Sequence, residues 1–409
     1  MKKAGAILII CTILLMSFNG ITSAVNMNRT QPVAKDDAIP VTTTLDAQLN
    51  LDSPSAVLIE GSTGTIIFEK NKDEKLKPAS VTKVMTLLLI FEALDSGQIK
   101  MTDEVSVSEH AASMGGSQVY LEPYETQNVD TMIKCISIAS ANDASVAMAE
   151  FIAGSEEEFV ARMNERAKEL GMKNTNFVNC CGLDVDNHYS SAYDIALMSR
   201  ELITRFPQIS NYSTVWMDTF VHTTKKGRTE FGLTNTNKLI KSYQGITGLK
   251  TGSTSLAKYC LTATARRNNM DLIAVIMAAP DTKTRFQEAA KLLNYGYANY
   301  SIFVDQHQEL TINPVRVVKG VADTVPGKPG GVFSYLCATG KKSSEIKKEV
   351  VLLEEVNAPV AANDKIGEII YYYGTEKIGS VDILAADSIK KAGFKDCFIK
   401  ALKRYFITH

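Results

Sequence analysis

Apolar positions along the 409-residue chain fall into stretches that predict different kinds of structure. Short apolar segments on either side of a Gly-Ser-Thr-Gly turn, within residues 55–69, predict a β-hairpin. The stretch from Val81 to Leu94 is apolar on nearly every face, which predicts a helix buried in the middle of a domain. Helical periodicity continues through residues 128–153 and 155–170, whereas residues 215–280 are rich in strand-forming segments.

A helix predicted from Arg285 to Tyr300 closes this mixed domain, and the pattern changes after Ser301. Short strand-like segments then alternate with turns rich in glycine and proline, which predicts a small β-rich domain over residues 301–385. We find no candidate catalytic residue in this second domain. Its strand-like segments are Glu309–Ile312, Arg316–Val318, Val350–Leu353, Ile366–Tyr373 and Ser380–Leu384.

The amino terminus has the pattern of a secretory signal peptide. Residues 1–24 contain two early lysines, an apolar run that is short for a permanent membrane span, and small residues up to Ala24. Residues 25–45 are polar and predict a flexible linker. We therefore expect an exported protein, located peripherally at the outer face of the cytoplasmic membrane, by the cell wall.

The carboxyl terminus, residues 386–409, carries six basic residues and two acidic ones. Phe394, Phe398, Leu402 and Phe406 recur at every fourth position, so they share one face of a helix. A basic amphipathic helix of this kind is typical of attachment to a membrane surface. The alternative is a helix that packs on its own β-rich domain.

Composition narrows the possible functions. The formal net charge is −1, which gives no indication of a nucleic-acid partner, and 45% hydrophobic residues are enough for two domains with their own cores. The histidines lack metal-ligand spacing, so we expect no metal and no other cofactor. We also expect no essential disulfide, because the cysteines that follow the signal peptide are scattered or adjacent. They are Cys135, Cys180, Cys181, Cys260, Cys337 and Cys397.

Candidate chemistry begins at the start of the buried helix. Ser80 and Lys83 are three residues apart, so their side chains share a face of its first turn. A hydroxyl beside a partly buried amine, at the positive end of a helix, is a credible nucleophile and base. The pattern alone is weak, since Ser-x-x-Lys also occurs at Ser255, Ser344 and Ser388.

Two further polar segments give this pair a context. Ser140 and Asn142 lie in a turn between two apolar helical segments, where an ordinary helix-capping role is the alternative. Lys250, Thr251 and Gly252 lie on a predicted strand, where the glycine leaves room for another backbone, such as a substrate peptide, to approach.

These three elements, in this order, resemble the active-site triplet of penicillin-binding proteins and serine β-lactamases. A closer resemblance is to the low-molecular-mass D-alanyl-D-alanine carboxypeptidases. The matching stretches are residues 78–80, 140–144, 159–171, 182–183 with 188–190, and Arg285-Phe286. The resemblance implies an α+β fold in which residues 46–300 form a transpeptidase-like domain, with an antiparallel sheet flanked by helices and a helical lobe. The small β domain and the basic terminal helix also match that family.

The resemblance also implies a reaction. Ser80 would attack the bond between the terminal D-alanines of a peptidoglycan pentapeptide stem, form an acyl-enzyme and bind β-lactams covalently. Lys83 would accept the serine proton, and Ser140 would pass protons to the leaving amine. Asn142 would bind the substrate amide, and Lys250 and Thr251 would bind its carboxylate. Arg285 would be a second carboxylate partner, with a structural salt bridge as the alternative. A close strand approach at Gly252 and an oxyanion hole formed by the backbone N–H groups of Ser80 and Ser253 complete the implied roles.

The chain departs from the family pattern at four places. Cys180-Cys181 precede Gly182, Lys258 stands where glycine is usual, and Tyr124 replaces a common glycine. Thr236 stands where some relatives have an arginine near the substrate carboxylate, so carboxylate binding is the least certain implied role.

Three alternative functions stay open at this point. A D,D-endopeptidase uses the same triplet and is poorly separated by sequence. A β-lactamase would need a deacylation base such as a Glu-x-x-Leu-Asn element between the second and third motifs, and we find none there. A non-catalytic wall-binding protein is disfavoured by the intact Ser80, Lys83, Ser140, Asn142 and Lys250.

Overall fold

The computed structural model of the chain describes residues 49–407. The predicted signal peptide, residues 1–24, and the predicted linker, residues 25–45, lie outside the described residues. The strands are β1 (Ser55–Glu60), β2 (Ile66–Lys70), β3 (Glu104–Ser106), β4 (Thr126–Asn128), β5 (Met217–Thr224), β6 (Gly227–Thr234), β7 (Ile246–Thr254), β8 (Lys258–Arg267), β9 (Met270–Ala279), β10 (Tyr300–Asp305), β11 (Val315–Val318), β12 (Thr324–Val325), β13 (Gly327–Pro329), β14 (Phe333–Ala338), β15 (Ile346–Leu352), β16 (Glu355–Asn357), β17 (Lys365–Tyr373) and β18 (Glu376–Ala385).

The helices confirm most of the periodicity seen in the sequence. The predicted helix at Arg285–Tyr300 begins slightly earlier, because the Asp281 side chain caps it by accepting from the Thr284 N–H. The helices are α1 (Lys83–Asp95), α2 (Glu109–Ala112), α3 (Val129–Ser137), α4 (Asn142–Ala153), α5 (Glu156–Glu169), α6 (Ala192–Arg205), α7 (Ser210–Ser213), α8 (Thr282–Asn299) and α9 (Phe394–Ile407).

A five-stranded antiparallel sheet, with strand order β2-β1-β9-β8-β7, forms the centre of the first region. The pairing of β1 with β2 confirms the predicted hairpin. Side chains alternate between the two faces of β9, as they do along any strand. Val275 and Met277 join the core that contains α1, and Ala274 and Ile276 join the core that contains α8. The sheet is therefore covered by helices on both faces.

Helix α1 lies in the core on one face of this sheet, together with side chains of α3, α4, α5 and α6. Ten of its thirteen side chains are buried, which confirms the prediction of a helix enclosed on nearly every side. A 3₁₀ turn, Ala79–Thr82, precedes it, so Ser80 lies on that turn and Lys83 is the first α-helical residue.

The second region is built from small sheets with orders β10-β14, β12-β11-β16 and β13-β18-β17-β15. Four of the five predicted strand segments here overlap β11, β15, β17 and β18. The fifth, Glu309–Ile312, is wrong: the Leu310 N–H donates to the carbonyl of His307 in a turn. Buried Tyr371 and Ile383 centre a separate hydrophobic core.

The predicted terminal helix over residues 386–409 is too long at its amino end. Ile389 is buried and forms an antiparallel bridge with Val360, so the residues before Phe394 belong to the β-rich region. Helix α9 then runs from Phe394 to Ile407. None of the helices in residues 49–407 is long and apolar enough to cross a membrane.

Candidate active site

Ser80 and Lys83 are in direct contact. The Lys83 Nζ donates to the Ser80 Oγ at 3.0 Å, to the Asn142 Oδ1 at 2.6 Å and to the carbonyl of Cys181 at 2.7 Å. The lysine is fully buried, and this burial lowers its pKa because the charged form loses solvation. A proton is thus easier to remove from this amine than from an exposed lysine.

The peptide that joins Ala79 to Ser80 is enclosed by two glycines from distant parts of the chain. A Cβ on Gly182 would lie 1.9 Å from the Ala79 carbonyl oxygen, and a Cβ on Gly252 would lie 2.9 Å from the Ser80 nitrogen. Ala79 itself has a φ of 47°, a conformation that non-glycine residues rarely adopt. Close backbone packing therefore fixes the position of the serine.

This packing corrects the expectation for Gly252. We expected the missing side chain to make room for a substrate backbone. The backbone that uses the space is the chain's own, because the Pro78 carbonyl oxygen lies 2.8 Å from a Cβ built at Gly252. Strand β7 is held against the 3₁₀ turn that carries Ser80.

Ser140 and Asn142 meet the pair from the amino end of α4. Asn142 accepts from Lys83 and donates from its Nδ2 to the carbonyl of Gly115 at 2.6 Å. The Oδ1 and the Nδ2 thus each have a partner within the protein, and the Nδ2 group has a second hydrogen to donate. The expected contact of Asn142 with a substrate amide stays a prediction. Ser140 has a φ of 63°, and its Oγ is buried without a hydrogen-bond partner among the described residues. An unpaired buried hydroxyl is costly and marks a position available to a reacting group.

Lys250 is the second buried lysine of the site. Its Nζ donates to the carbonyl of Thr251 at 3.1 Å. Burial lowers its pKa well below the usual range, and the charges of Lys83 and Arg285 act in the same direction. The charge of Lys83, the amine that contacts Ser80, thus disfavours the charged form of Lys250.

The remaining predicted residues of β7 lie beside this centre. Thr251 is buried, and its Oγ1 is 2.6 Å from the Oγ1 of exposed Thr236. Ser253 is exposed at the same end of the strand. The hydroxyl of Thr254 donates to Asp184 at 2.9 Å, so the loop before α6 also contacts β7.

Arg285 makes contacts other than those expected. Its Nη1 donates to the carbonyl oxygens of Gly252 and Cys260, at 3.0 and 3.2 Å, and the residue is buried. Burial lowers its pKa. The guanidinium group thus supports the backbone of β7 and β8, while its Nε is buried without a hydrogen-bond partner among the described residues. Its expected contact with a substrate carboxylate stays a prediction.

Several residues that contact Lys83 or the turn carrying Ser80 were not predicted from the sequence. The carbonyl of Cys181 and the backbone of Gly182 are two of these. A third is His188, whose Nδ1 accepts from the Val178 N–H, so that Nε2 carries the proton and donates to the Thr82 hydroxyl at 2.9 Å. Burial, followed by the charge of Lys77, lowers the pKa of His188 to about 4. The order Cys-Cys-Gly-Leu before His188 was the only available signal.

No group of three or more His, Cys, Asp or Glu side chains in residues 49–407 is arranged to hold a metal ion. The site thus contains the Ser80 hydroxyl in contact with a buried amine, a second buried amine and a second, unpaired hydroxyl, and the pKa of both amines is lowered. A helical lobe on an antiparallel sheet, with a serine activated by lysine, defines the class of serine acyl-transfer enzymes that includes the penicillin-binding proteins.

The chain belongs to the D-alanyl-D-alanine carboxypeptidase family, whose model matches residues 41–281, and it is a serine carboxypeptidase. Residues 305–391 match the C-terminal domain of penicillin-binding protein 5. The chain is 45% identical to the D-alanyl-D-alanine carboxypeptidase DacF of Bacillus subtilis, over 85% of this chain and 88% of that protein. It is 31% identical to DacA of Escherichia coli, over 91% and 92% of the two chains.

Solved structures agree with this assignment. Penicillin-binding protein 5 from Haemophilus influenzae superposes with a TM-score of 0.70 at 32% identity, covering 84% of this chain and 98% of that one. Penicillin-binding protein D2 from Listeria monocytogenes, solved in its ampicillin-bound form, gives 0.54 at 31% identity, covering 61% and 99%. The predicted transpeptidase-like fold with a following β domain is confirmed.

Proposed function

We propose that Ser80 is the nucleophile that removes the terminal D-alanine from peptidoglycan pentapeptide stems. The observation that carries the proposal is the direct contact, at 3.0 Å, between the Ser80 Oγ and the amine of a fully buried lysine. The reaction would release D-alanine, leave an acyl-enzyme on Ser80 and end with hydrolysis of that ester.

Lys83 is the proposed general base, and its three contacts suit that role. A neutral amine has two hydrogens and one lone pair. Asn142 and the Cys181 carbonyl can accept the two hydrogens, which leaves the lone pair directed at the Ser80 hydroxyl. Base catalysis by a group held in this way contributes about 10²- to 10⁴-fold to the rate.

The other roles follow the remaining geometry. The unpaired hydroxyl of Ser140 is the proposed relay that passes the proton to the leaving amine. Lys250 and Thr251 are the proposed partners of the substrate carboxylate, with the backbone N–H groups of Ser80 and Ser253 as oxyanion donors, each worth about 3 kcal/mol in the transition state. We assign Arg285 a positioning role for β7.

The proposal extends to location and ligands. Residues 1–24 would direct export, residues 46–300 would form the catalytic domain, and the β-rich domain would carry α9 to a membrane surface. Because penicillin-binding protein D2 of Listeria monocytogenes has been solved in its ampicillin-bound form, we expect β-lactams to acylate Ser80 here as well.

Intact mass after incubation with a penicillin, measured in parallel with D-alanine release from a pentapeptide, tests the proposal. We expect a lasting adduct and D-alanine release in the wild type, and neither in Ser80→Ala. The matched control is Ser344→Ala, which alters another Ser-x-x-Lys sequence and should behave as the wild type.

Two results would contradict the proposal in different ways. Rapid return to the free mass with hydrolysed drug would indicate a β-lactamase. Cleavage of cross-linked peptides without release of D-alanine from a pentapeptide would indicate an endopeptidase.

A further inference from the structure

The adjacent cysteines Cys180 and Cys181 line the catalytic lysine, yet the proposed reaction uses neither thiol. Both residues are buried and both thiols are free. The carbonyl of Cys181 accepts from Lys83 at 2.7 Å, and the carbonyl of Cys180 accepts from the Thr86 hydroxyl at 2.5 Å. The backbone of this pair therefore forms part of the wall behind the proposed base.

The same backbone is connected rigidly to the nucleophile. The Asn179 Oδ1 accepts from the N–H groups of Cys181, Gly182 and Leu183, which ties the segment into a tight turn. Gly182 in turn packs against the Ala79 carbonyl with no room even for a Cβ. A displacement of the Cys180–Cys181 backbone would therefore be transmitted to the proposed base and to the nucleophile.

The two thiols also interact with each other. The thiol of Cys180 hydrogen-bonds to Cys181 and lowers the pKa of Cys181 to about 7, and the charge of Lys83 acts in the same direction. Burial raises the pKa of Cys180. Cys181 is therefore the thiol of the pair that loses its proton more readily, and Cys180 keeps its proton.

We propose that Cys180 and Cys181 form an oxidation site at which a hydroperoxide closes a disulfide between neighbouring residues and slows acylation of Ser80. The Cys181 thiolate attacks the peroxide oxygen, giving a sulfenic acid and releasing hydroxide. Cys180 then attacks that sulfur and displaces water. In total, two thiols and one hydrogen peroxide give one disulfide and two waters, and the two electrons reduce the peroxide.

Ring closure must distort the peptide between the two cysteines, whose carbonyl accepts from the Thr86 hydroxyl and whose N–H donates to Asn179. Consecutive Cα atoms joined by a trans peptide are about 3.8 Å apart, whereas disulfide-bonded cysteines usually have Cα atoms about 4.4–6.8 Å apart. The intervening peptide has to change geometry. Because Cys181 is itself a ring member, we expect the change to carry over to the next carbonyl, that of Cys181, and to move it away from the position that accepts from Lys83. Because a strained disulfide is easily reduced, the effect should be reversible.

The test uses the full-length chain with Cys397→Ala, since Cys397 is the one exposed thiol among the described cysteines. Protein is treated with hydrogen peroxide, the excess is removed with catalase, and half of the sample is then reduced with dithiothreitol. Peptide mapping reports the loss of two hydrogens from the Cys180–Cys181 peptide. Acylation by a penicillin and D-alanine release report activity.

We expect the oxidised sample to acylate about tenfold more slowly or worse, in line with a displaced general base, and dithiothreitol to restore the rate. Cys180→Ala and Cys181→Ala, each compared with its own reduced form, should be insensitive to peroxide. Cys260→Ala removes a different buried thiol and should keep the sensitivity of the parent. A mapped disulfide without a change in rate, thiols that stay reduced, or equal sensitivity in Cys180→Ala would overturn the proposal.

The inference rests on the proposed role of Lys83, and the two can fail separately. A reduced protein that does not form a penicillin adduct at Ser80 refutes the proposed nucleophile. Peptide mapping then still shows whether Cys180 and Cys181 form a disulfide, and D-alanine release shows whether that disulfide changes the rate of the enzyme.

Discussion

Helices α1 and α9 are both rich in apolar residues, but the protein encloses the first and leaves apolar side chains of the second exposed. Ten of thirteen side chains of α1 are buried between the sheet and other helices. In α9, Phe394 is 88% exposed and Phe398 is 58% exposed. The difference follows from the polar residues: α1 has almost none after its first turn, whereas lysines recur along α9.

The contrast also gives the lysines of the two helices different environments. Lys83 of α1 is fully enclosed, which lowers its pKa and prepares it to accept a proton. Lys400 of α9 forms an ion pair with the Asp323 carboxylate at 2.5 Å and also donates to the Gly320 carbonyl. The enclosed helix builds a site, and the second helix presents a surface. Four predictions test this difference, from the largest expected effect to the smallest.

Gly182→Ala should have the largest effect, because it disrupts the close backbone packing that positions Ser80. The new Cβ would lie 1.9 Å from the Ala79 carbonyl oxygen, so the backbone must move. We expect a loss of more than about 4 kcal/mol in the free energy of unfolding and at least about 100-fold slower acylation by penicillin. Urea denaturation and stopped-flow acylation measure the two quantities.

Gly171→Ala is the matched control for this substitution. Gly171 also has a positive φ, 77°, but a Cβ there meets no atom within 4 Å. It should lose only about 1–2 kcal/mol from backbone strain and keep its acylation rate. Equal losses of unfolding free energy in the two variants would show that the positive-φ backbone conformation, and not the contact with Ala79, destabilises the protein.

The same substitution, leucine to alanine, compares the contributions of α1 and α9 to stability. Leu88 of α1 is fully buried, and Leu402 of α9 is 41% exposed. Leu88→Ala should lower the free energy of unfolding by about 3 kcal/mol because it leaves a cavity, and Leu402→Ala should lower it by less than about 0.5 kcal/mol. Similar losses from both, measured by urea denaturation, would mean that α9 is buried in solution.

The enclosed region should also be sensitive to acid through His188. The pKa of His188 falls from 6.5 to about 4 on folding, so the unfolded chain binds the proton first as the pH decreases. The stabilisation is complete above pH 6.5 and is lost as the pH falls toward 4, by about 2 kcal/mol between pH 7 and pH 5.

The control for this prediction is His188→Gln, measured by urea denaturation at both pH values. Burial raises the pKa of Asp143 and Asp194, so these carboxyls act in the opposite direction, and only the difference between wild type and variant isolates the histidine. The prediction is wrong if the two proteins lose the same free energy.

Local patterns made much of this molecule predictable. The apolar stretch that became α1, the turn that joined β1 to β2 and the strand carrying Lys250 are each encoded by neighbouring residues. The three motifs also led to one site, because Lys83 contacts both Ser80 and Asn142, and Gly252 packs against the backbone of Ser80. The identity of the fold followed from the order of those motifs.

The contacts that the sequence did not predict are those made by backbone atoms. Every residue has a backbone carbonyl, so the identity of Cys181 does not indicate that its carbonyl would accept a hydrogen bond from Lys83. The role of Gly182 depends on the approach of Ala79, more than a hundred residues away in the chain. The contacts of Arg285 were not predicted for the same reason, since its acceptors are the carbonyls of Gly252 and Cys260.

The smallest expected change in stability belongs to Phe398→Ala, which tests the surface of α9. Because Phe398 is 58% exposed, its removal should change the free energy of unfolding by less than about 0.5 kcal/mol. Binding to vesicles of anionic lipid should nevertheless weaken severalfold, since the ring would enter the headgroup region. Val351→Ala, which alters an exposed apolar residue of β15, is the control that should leave binding unchanged. A chain that ends at Gly393 keeps Ile389 in its core and should not sediment with vesicles; sedimentation at the wild-type level would place the attachment outside α9.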